Sequence, residues 1–346
     1  MKRPKKILIF QTAFLGDVIL TLPLAQVLQK EFPFSEIDFL TTPRAAELVR
    51  NHPSVHRVIE YDKRKTQQGI RGILSLAKQL RSQQYDVAFV PHRSLRSAGV
   101  VLLSGIPMRI GFSTSAGRMM MSHVVHYEPQ RHEVERNLSL LAPFKIVLKE
   151  NELPILFPTE QDFLFVNKYL FEHEILQQHK MIALAPGSVW NTKRWLAERF
   201  AELAIHVADD GWSVVLIGGK EDEEICSAIK DAAKHKNIFN TAGKLSLMQS
   251  AEVIGRCKAL VSNDSAPLHI GVAMKTPVVA IFGATVPAFG FGPYGKHDVV
   301  VEVQGLKCRP CGIHGGKTCP IGTFDCMKKI ETNVVLEKVR SVNSKQ

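Results

Sequence analysis

Short apolar runs alternate with segments of helical periodicity along almost the whole chain, and this alternation constrains the fold more than any other feature of the sequence. Apolar runs without a polar face are typical of strands covered by helices on both sides of a parallel sheet. The alternation therefore predicts an α/β protein. In the first half, strands are predicted at residues 7–10, 36–40, 57–60, 86–90 and 108–111. Helices are predicted at residues 18–30, 43–50, 69–82, 94–104 and 134–147.

The pattern restarts after residues 150–158, a proline-containing stretch without a clear period that predicts a linker. A chain of 346 residues is long enough for two cores. We therefore expect two doubly wound domains, residues 1–155 and 156–346, which bind ligands beyond the carboxyl ends of their strands. In the second half, strands are predicted at residues 181–185, 213–217, 259–262, 278–282 and 299–303. Helices are predicted at residues 161–171, 198–209, 221–234, 246–256 and 265–274.

Positive charge is concentrated in the first half. Residues 1–150 contain 22 Lys and Arg against 12 Asp and Glu, whereas residues 151–346 contain 22 against 21. A basic domain attracts anionic partners such as nucleic acid, anionic lipid or a phosphorylated sugar. Few aromatic residues interleave these cations and no nucleic-acid motif is recognisable, so nucleic-acid binding is the least favoured of the three. We predict that Arg93 and Arg96 bind the anionic substrate.

The sequence also limits how the chain meets a membrane. No run approaches the roughly 18 consecutive apolar residues that span a bilayer, so any membrane contact is expected to be peripheral. Gln11 and Asp17 interrupt the first apolar stretch, which therefore resembles a first strand more than a signal peptide. We expect a cytoplasmic protein.

Asp17 follows the first predicted strand and a glycine, at the expected start of a helix. One interpretation is an N-cap, since Asp is among the residues favoured there and the helix dipole stabilises its charge. The other is a general base, because a carboxylate at the edge of an α/β sheet is well placed for chemistry. The local pattern leaves both interpretations open.

Polar residues follow several strands of the second half. The loop 186–195 contains Ser188 and, between its two tryptophans, Lys193. Its cations either bind phosphate or point to water. Glu221 opens a helix, where an acid suits the dipole but also suits a ribose diol. The strongest signal is residues 263–269, Asn-Asp-Ser-Ala-Pro-Leu-His, because small residues and a proline at a helix start favour a diphosphate site. His269 lies about one helical turn further on.

Several common nucleotide motifs are missing. No G-x-G-x-x-G follows the first strand, no G-x-x-x-x-G-K-[ST] occurs, and no G-x-S-x-G elbow is present. These absences count against a dinucleotide oxidoreductase, a P-loop phosphotransferase and an α/β hydrolase. A carboxylate in the first domain and a phosphate site in the second suit displacement at a sugar carbon with a nucleoside diphosphate leaving.

The motifs resemble those of glycosyltransferase family 9, the bacterial lipopolysaccharide heptosyltransferases. The resemblance covers nearly the whole chain and is strongest to the heptosyltransferase II type. It implies a GT-B fold of two Rossmann-like domains, an inverting transfer, and no cofactor. The segments that carry it are Phe14-Leu15-Gly16-Asp17 with Leu22-Pro23, Pro186-Gly187-Ser188 with Lys193-Arg194-Trp195, residues 263–269, Phe282-Gly283-Ala284-Thr285, and a cysteine-rich tail.

The resemblance also implies roles and partners. Asp17 corresponds to the general base, the donor is ADP-L-glycero-D-manno-heptose, and the acceptor is the anionic lipopolysaccharide core at the inner face of the cytoplasmic membrane. Many type II members have Gly where Ala266 stands, and the loop 188–193 is shorter than in some relatives. The implied donor-binding residues are Ser188 and Lys193 for the phosphates, Glu221 for the ribose, Leu245 for the adenine, and Asp264, Ser265, Ala266 and His269 for the diphosphate and sugar.

Four of the six cysteines form a compact group, Cys308, Cys311, Cys319 and Cys326. Their spacing is compatible with a structural tetrathiolate metal site in a reducing compartment. The resemblance favours free or redox-sensitive thiols instead. We therefore predict no metal and keep the four cysteines as weak candidates.

Other functions remain open at this level. A family member with a different acceptor, such as a heptosyltransferase of type I or III or a protein heptosyltransferase, would share these motifs. A GT-B nucleotide-sugar epimerase needs the same diphosphate site but no acceptor. A non-enzymatic anion-binding module is suggested by charge alone.

Overall fold

The structure is a computed structural model that describes residues 3–148, 152–175 and 180–343. It divides into an N-terminal unit, Met1–Phe157, and a C-terminal unit, Pro158–Gln346. This division falls two residues after the boundary that we predicted at 155. Glu150, the first residue of the predicted linker, lies outside the described residues.

The N-terminal unit contains a six-stranded parallel sheet with the order β3-β2-β1-β4-β5-β6. The first strand is central and fully apolar after Lys6, and four of its five residues are buried. It pairs in parallel with β2 and β4. The strands are β1 Lys6–Phe10, β2 Glu36–Thr41, β3 Arg57–Glu60, β4 Val87–Val90, β5 Met108–Phe112 and β6 His123–Val125.

Helices connect these strands, and the longest of them, α4 (Gly69–Gln83), buries one stripe against the sheet. Its buried residues Gly72, Leu76, Ala77 and Leu80 recur every three or four positions. The helices are α1 Leu15–Ile19, α2 Leu22–Glu31, α3 Pro43–Ala46, α4 Gly69–Gln83, α5 Leu95–Leu103 and α6 Glu133–Ser139, with 3₁₀ turns at Arg118–Met120 and Ala142–Phe144.

The C-terminal unit repeats this architecture with the strand order β12-β11-β10-β7-β8-β9, again all parallel. Strands β7, β8, β10 and β11 are buried along their whole length. The strands are β7 Met181–Ala185, β8 Ser213–Leu216, β9 Ile238–Asn240, β10 Ala259–Asn263, β11 Val278–Phe282 and β12 Val299–Glu302.

Trp195 anchors the core of this unit. It is 1% exposed, packs edge-to-face on Phe200 at 5.0 Å, and donates its indole N–H to the carbonyl of Ile330 at 3.0 Å. The loop that precedes it is therefore tied to the C-terminal helices. The helices of this unit are α7 Glu160–Glu172, α8 Ala197–Asp209, α9 Glu223–Ala233, α10 Leu247–Arg256, α11 Ala266–Ala273, α12 Asp325–Lys328 and α13 Thr332–Asn343, with 3₁₀ turns at Asn191–Lys193, Lys220–Asp222 and Pro287–Phe289.

The α/β class and the two doubly wound sheets confirm the predicted fold class. Several elements differ from the sequence prediction. The helix predicted at 18–30 is two helices, because Pro23 lies in the first turn of a new helix that begins at Leu22. The helices predicted at 43–50 and 134–147 are shorter, and β6, β9 and the two C-terminal helices were not predicted. Over the described ranges, no helix is long and apolar enough to cross a bilayer.

Candidate active site

Lys193 and Asp264 form an ion pair at the carboxyl edge of the C-terminal sheet. Lys193 ends the 3₁₀ turn that follows β7, and Asp264 follows β10. The Lys193 Nζ lies 2.6 Å from the Asp264 Oδ2, and the two side chains are 13% and 8% exposed. Thr285, which follows β11, donates its hydroxyl to the same oxygen at 2.6 Å. The ends of three neighbouring strands thus meet at one carboxylate.

Asn263 holds the Lys193 loop in place. Its amide nitrogen donates to the carbonyl of Pro186 at 2.8 Å, and its side-chain oxygen accepts from the backbone N–H of Trp195 at 3.0 Å. The Asn263 side chain is completely buried. Because these bonds join both ends of the loop to β10, they place Lys193 beside Asp264. Asn263 is the first residue of the motif 263–269, and the sequence alone indicated no role for it.

Helix α11 begins directly after the ion pair. Ser265 is the N-cap and Ala266 is the first helical residue, one position later than predicted. Pro267 lies in the first turn, as the sequence predicted. The N–H groups of a first helical turn and the positive end of the helix dipole favour an anion. His269 lies one turn further on and is 4% exposed. This helix start and the Lys193 cation together form an arrangement suited to a phosphate group.

The other predicted donor residues lie at the ends of neighbouring strands. Ser188 follows β7 and is buried, and its carbonyl accepts from the Nε of Arg194 at 2.8 Å. Glu221 lies in the 3₁₀ turn after β8 and is exposed. Leu245 is half-buried and precedes Ser246, the N-cap of α10, after β9. The structure thus places all of the predicted donor residues in the segments that follow β7, β8, β9 and β10.

The turn at Gly187 is tightly packed. A Cβ added to Gly187 would lie 2.1 Å from the Oδ1 of Asp222, so a larger residue requires this turn to move. Asp222 itself accepts the backbone N–H of Gly219 at 3.0 Å. The loops after β7 and β8 are therefore closely fitted to each other.

The cysteine-rich segment lies on the same edge of the sheet. Gly316 donates its backbone N–H to the Thr192 hydroxyl at 2.8 Å, and the Thr192 N–H is donated to the Gly316 carbonyl at 3.1 Å. Cys311 donates its N–H to the carbonyl of Ala284 at 2.8 Å. Arg309 fixes the segment through the Thr285 carbonyl at 2.7 Å. The segment therefore supports the Lys193 loop, a relation that spacing along the chain did not reveal.

The cysteines themselves are free thiols. Backbone N–H groups, first that of Phe324 and then that of Ile321, lower the pKa of Cys319, whereas burial raises the pKa of Cys326 to about 11. Within the described part of the chain, no three His, Cys, Asp or Glu side chains are arranged to hold a metal ion. Whether the four cysteines bind metal stays a prediction.

In the N-terminal unit, Asp17 is the third residue of α1 and not its N-cap. The N-cap position is Phe14, whose backbone N–H is donated to the Asp17 Oδ2 at 3.1 Å. The helix begins earlier than predicted because Leu15 and Gly16 already have helical geometry. The capping interpretation of Asp17 is wrong in position, although its carboxylate still satisfies a donor at the helix start.

A second carboxylate interacts with Asp17. Glu133, in the first turn of α6, is 7% exposed and pairs with Arg136 at 2.7 Å. Burial, and after it the negative charge of Asp17, raise the pKa of Glu133 to about 7. Sequence reasoning missed Glu133, because 116 residues separate it from Asp17.

Arg136 and Arg93 both contact the aromatic ring of Tyr127. The Arg136 Nη1 donates to the Tyr127 hydroxyl at 2.6 Å, and its guanidinium lies 4.9 Å from the ring centroid. The Arg93 guanidinium lies 4.5 Å from the same centroid. Arg93, one of the predicted acceptor residues, therefore belongs to the same network as Glu133.

Lys63, Thr12 and His92 form a further cluster at this edge. The Lys63 Nζ donates to the Thr12 carbonyl at 2.7 Å, and the Thr12 hydroxyl lies 3.1 Å from the His92 Nδ1. Arg96 donates to the carbonyl of Lys63 at 3.4 Å. Burial and the neighbouring Arg64 and Arg96 lower the pKa of Lys63.

Burial, Lys63 and Arg93 together lower the pKa of His92 to about 4. His92 is thus neutral at physiological pH, because burial, and after it the surrounding cations, disfavour its protonation. Cations that disfavour one another's charge favour the binding of an anion.

The comparisons with known proteins agree with this architecture. The family model "Glycosyltransferase family 9 (heptosyltransferase)" matches residues 73–319, a range that includes the Lys193 loop and α11 but not Asp17. Lipopolysaccharide heptosyltransferase 2 of Escherichia coli K12 is 30% identical over 293 residues, which cover 82% of this chain and 84% of that protein.

Two solved structures share the fold. A family 9 glycosyl transferase from Veillonella parvula superposes with a TM-score of 0.90 at 24% identity, with 99% of this chain and 98% of that chain covered. The ADP-heptose lps heptosyltransferase II of E. coli superposes with a TM-score of 0.80 at 25% identity, with 98% and 99% covered.

These matches confirm the predicted GT-B fold and the resemblance, and they favour a transferase over an epimerase or an anion-binding module. Since the family model matches well over half of the chain, this protein belongs to glycosyltransferase family 9, the heptosyltransferases.

Proposed function

We propose that this protein transfers heptose from ADP-heptose to the inner core of lipopolysaccharide, as a heptosyltransferase of type II. The observation that carries the proposal is the Lys193–Asp264 pair at the start of α11, in a chain of this family. The names of the relatives support the substrates, since the E. coli proteins are called lipopolysaccharide heptosyltransferase 2 and ADP-heptose lps heptosyltransferase II.

The C-terminal unit binds the donor in this proposal. The diphosphate lies at the first turn of α11, where backbone N–H groups, the helix dipole and Lys193 stabilise its charge. The same contacts stabilise ADP as it leaves, because negative charge grows on the diphosphate when the glycosidic bond breaks. Ser188 approaches the phosphates, Glu221 binds the ribose, and Leu245 packs against the adenine. Ser265, Ala266 and His269 complete the diphosphate and sugar site.

The N-terminal unit binds the acceptor. Its substrate is an anionic, lipid-anchored sugar, and the cations Arg93 and Arg96 bind its carboxylate or phosphate groups. Lys63 contributes to the same positive region, since its pKa is lowered partly by Arg64 and Arg96. The protein acts in the cytoplasm, at the inner face of the cytoplasmic membrane.

Asp17 is the general base. A sugar hydroxyl is a poor nucleophile, so a carboxylate that accepts its proton during attack accelerates the transfer. The hydroxyl oxygen forms a bond to the anomeric carbon as the bond to ADP breaks, and a single displacement of this kind inverts the anomeric configuration. Glu133, whose pKa is raised to about 7 by burial and by Asp17, is about half protonated at pH 7, which lessens its repulsion of a negative charge on Asp17.

The test is an incubation of the protein with ADP-heptose and a defined, truncated inner-core acceptor. We expect ADP, an acceptor heavier by one heptose in mass spectrometry, and an inverted anomeric configuration by NMR. Isomerisation of the donor without acceptor would indicate an epimerase, and transfer to a different acceptor only would reject the type II assignment. Absence of both reactions would reject the proposal.

A further inference from the structure

Helix α5 exposes an apolar side to solvent. Its residues Ser97, Ala98, Val100 and Val101 are buried against the N-terminal sheet. On the other side, Leu95, Leu102 and Leu103 are 55%, 41% and 43% exposed. These three leucines are seven and eight positions apart, so they lie on one side of the helix.

Helix α4 carries a similar stripe beside its buried one. Ile70 and Leu74 are 75% and 52% exposed. Lys78 and Arg81 continue the same line, since steps of three or four residues follow one side of a helix, and both are exposed. The stripe is therefore apolar at the amino end of α4 and basic at its carboxyl end.

The two helices lie side by side and run in the same direction. They pack against each other, and Arg81 near the end of α4 donates to the carbonyl of Leu103 at the end of α5 at 2.8 Å. Eight residues span about 12 Å of helix, so Leu95 lies level with the first turns of α4, which contain Ile70 and Leu74.

The 3₁₀ turn Arg118–Met120 extends this surface. A Cβ added to Gly117 would lie 2.2 Å from the Cβ of Ala98, so the turn packs directly on α5. Met119 in this turn is 89% exposed. We call the exposed apolar side chains of these three elements the apolar surface: Ile70, Leu74, Leu95, Leu102, Leu103 and Met119.

The surface is embedded in a strongly basic region. Residues 63–125 contain ten Lys and Arg and a single acidic residue, Asp86. On the three elements themselves, Arg71, Lys78, Arg81 and Arg118 are exposed. Apolar side chains surrounded by cations are typical of surfaces that bind the interface of an anionic bilayer, where the apolar groups enter the headgroup region and the cations meet lipid phosphates.

We propose that this surface docks the protein on an anionic lipid bilayer. A second copy of the chain is a poorer occupant, because an isologous contact would bring the cations of one copy against those of the other. The docking deepens the proposed function, on which it rests for the lipid anchor of the acceptor. Since Arg93 lies just before α5, a docked bilayer presents lipid-linked acceptors close to the predicted acceptor residues.

The experiment is co-sedimentation of the full chain with vesicles of phosphatidylcholine, with and without roughly one-third phosphatidylglycerol. We expect binding to the anionic vesicles that weakens as salt is added. The double variant Ile70→Ser/Leu74→Ser should lower the bound fraction at least about tenfold. A second variant, Leu95→Ser/Met119→Ser, tests the same surface from other elements.

The matched control is Leu164→Ser/Phe171→Ser on α7 of the C-terminal unit, where the two side chains are 57% and 84% exposed. This control should bind vesicles like the wild type. Equal losses in the control and the surface variants, equal binding to neutral vesicles, or no binding to anionic vesicles would overturn the proposal. So would a dimer in sedimentation velocity that the surface variants abolish.

Transfer to a water-soluble, deacylated acceptor separates this proposal from the proposed function. The surface variants should use that acceptor as well as the wild type does, and lose activity only with acceptor in anionic vesicles. Vesicle binding without any transfer would reject the function but leave the docking surface standing. Equal loss on both acceptors would overturn the docking role.

Discussion

The two units share an architecture but differ in how the charges at their sheet edges are balanced. In the C-terminal unit, the Lys193 cation pairs with a buried carboxylate that also accepts a hydroxyl from Thr285. In the N-terminal unit, burial and then neighbouring cations lower the pKa of both Lys63 and His92. The C-terminal edge is thus neutralised by an ion pair within the protein. The other carries excess positive charge and attracts anionic molecules from a distance.

This difference suggests a division between the units, in which each binds a different substrate. A preformed, paired site binds a small ligand that must be oriented for bond breaking. An excess of cations suits a large anionic acceptor, which is first attracted and then aligned. The following substitutions test this division, from the largest expected effect to the smallest.

Asp17→Asn should have the largest effect. The substitution removes the proposed proton acceptor but keeps an oxygen that accepts the Phe14 N–H. We expect turnover to fall by roughly 10²–10⁴. ADP affinity by calorimetry should stay near that of the wild type, because the donor is proposed to bind the other unit. The melting temperature at neutral pH should change little, because Asn keeps the size of Asp and its contact with Phe14. Near-normal transfer by a folded variant would leave Asp17 with a structural role only.

Lys193→Ala tests the diphosphate site. Loss of a charge-assisted contact of about 1.5–3 kcal/mol should weaken ADP binding roughly ten- to a hundredfold in calorimetry. The variant should also have a lower melting temperature, because Asp264 keeps a buried charge without its partner. Such a loss typically lowers the free energy of unfolding by about 3–5 kcal/mol.

The control for this variant is Lys193→Met/Asp264→Asn, which removes both charges of the pair. The melting temperature should recover towards that of the wild type while ADP affinity stays low. Unchanged ADP binding in both variants would place the diphosphate elsewhere.

Arg93→Gln/Arg96→Gln tests the acceptor side. Removing two cations should raise the KM for the acceptor by roughly tenfold, and the change should shrink at high salt because exposed charges are screened. ADP affinity should stay the same, since the donor binds the other unit. Equal losses for donor and acceptor would contradict the division between the units.

The pH dependence of stability tests Glu133. Its pKa in the folded state is about 7, above the ordinary 4.5, so the folded state binds this proton more tightly than the unfolded chain does. The stability from this proton is complete below pH 4.5 and is lost as pH rises through about 7. One pKa unit corresponds to about 1.4 kcal/mol.

Glu133→Gln cannot ionise at this position, so its melting temperature should change less with pH over this range than that of the wild type. Asp17→Asn removes one cause of the raised pKa and should move the wild-type decline to lower pH. The informative quantity is the slope of the melting temperature against pH, because Glu133→Gln also alters the pair with Arg136. Parallel plots of melting temperature against pH for all three proteins would contradict the interaction of Glu133 with Asp17.

Much of the fold was predictable because it depends on short-range patterns. The strands β7 and β11, and β1 after Lys6, are unbroken apolar runs buried on both faces, and such runs are visible in the sequence. The small residues and Pro267 placed the start of α11 to within one residue. The short strands β6 and β9 were missed because three residues are too few for a periodic signal.

The position of Asp17 shows the limit of local reasoning. A carboxylate near a helix start was correctly expected, but the first helical residue depends on backbone geometry that the residue pattern specifies only to within a few positions. The same limit explains the division of the helix predicted at 18–30.

The sequence by itself determined the two α/β halves, the excess of positive charge in the first, and the family to which the chain belongs. Only the tertiary structure placed Lys193 on Asp264, Glu133 near Asp17, and Gly316 on Thr192. These partners are 71, 116 and 124 residues apart along the chain. Periodicity and capping act over one or two turns of a helix, whereas contacts between the ends of different strands arise only when the sheet brings those ends to one edge.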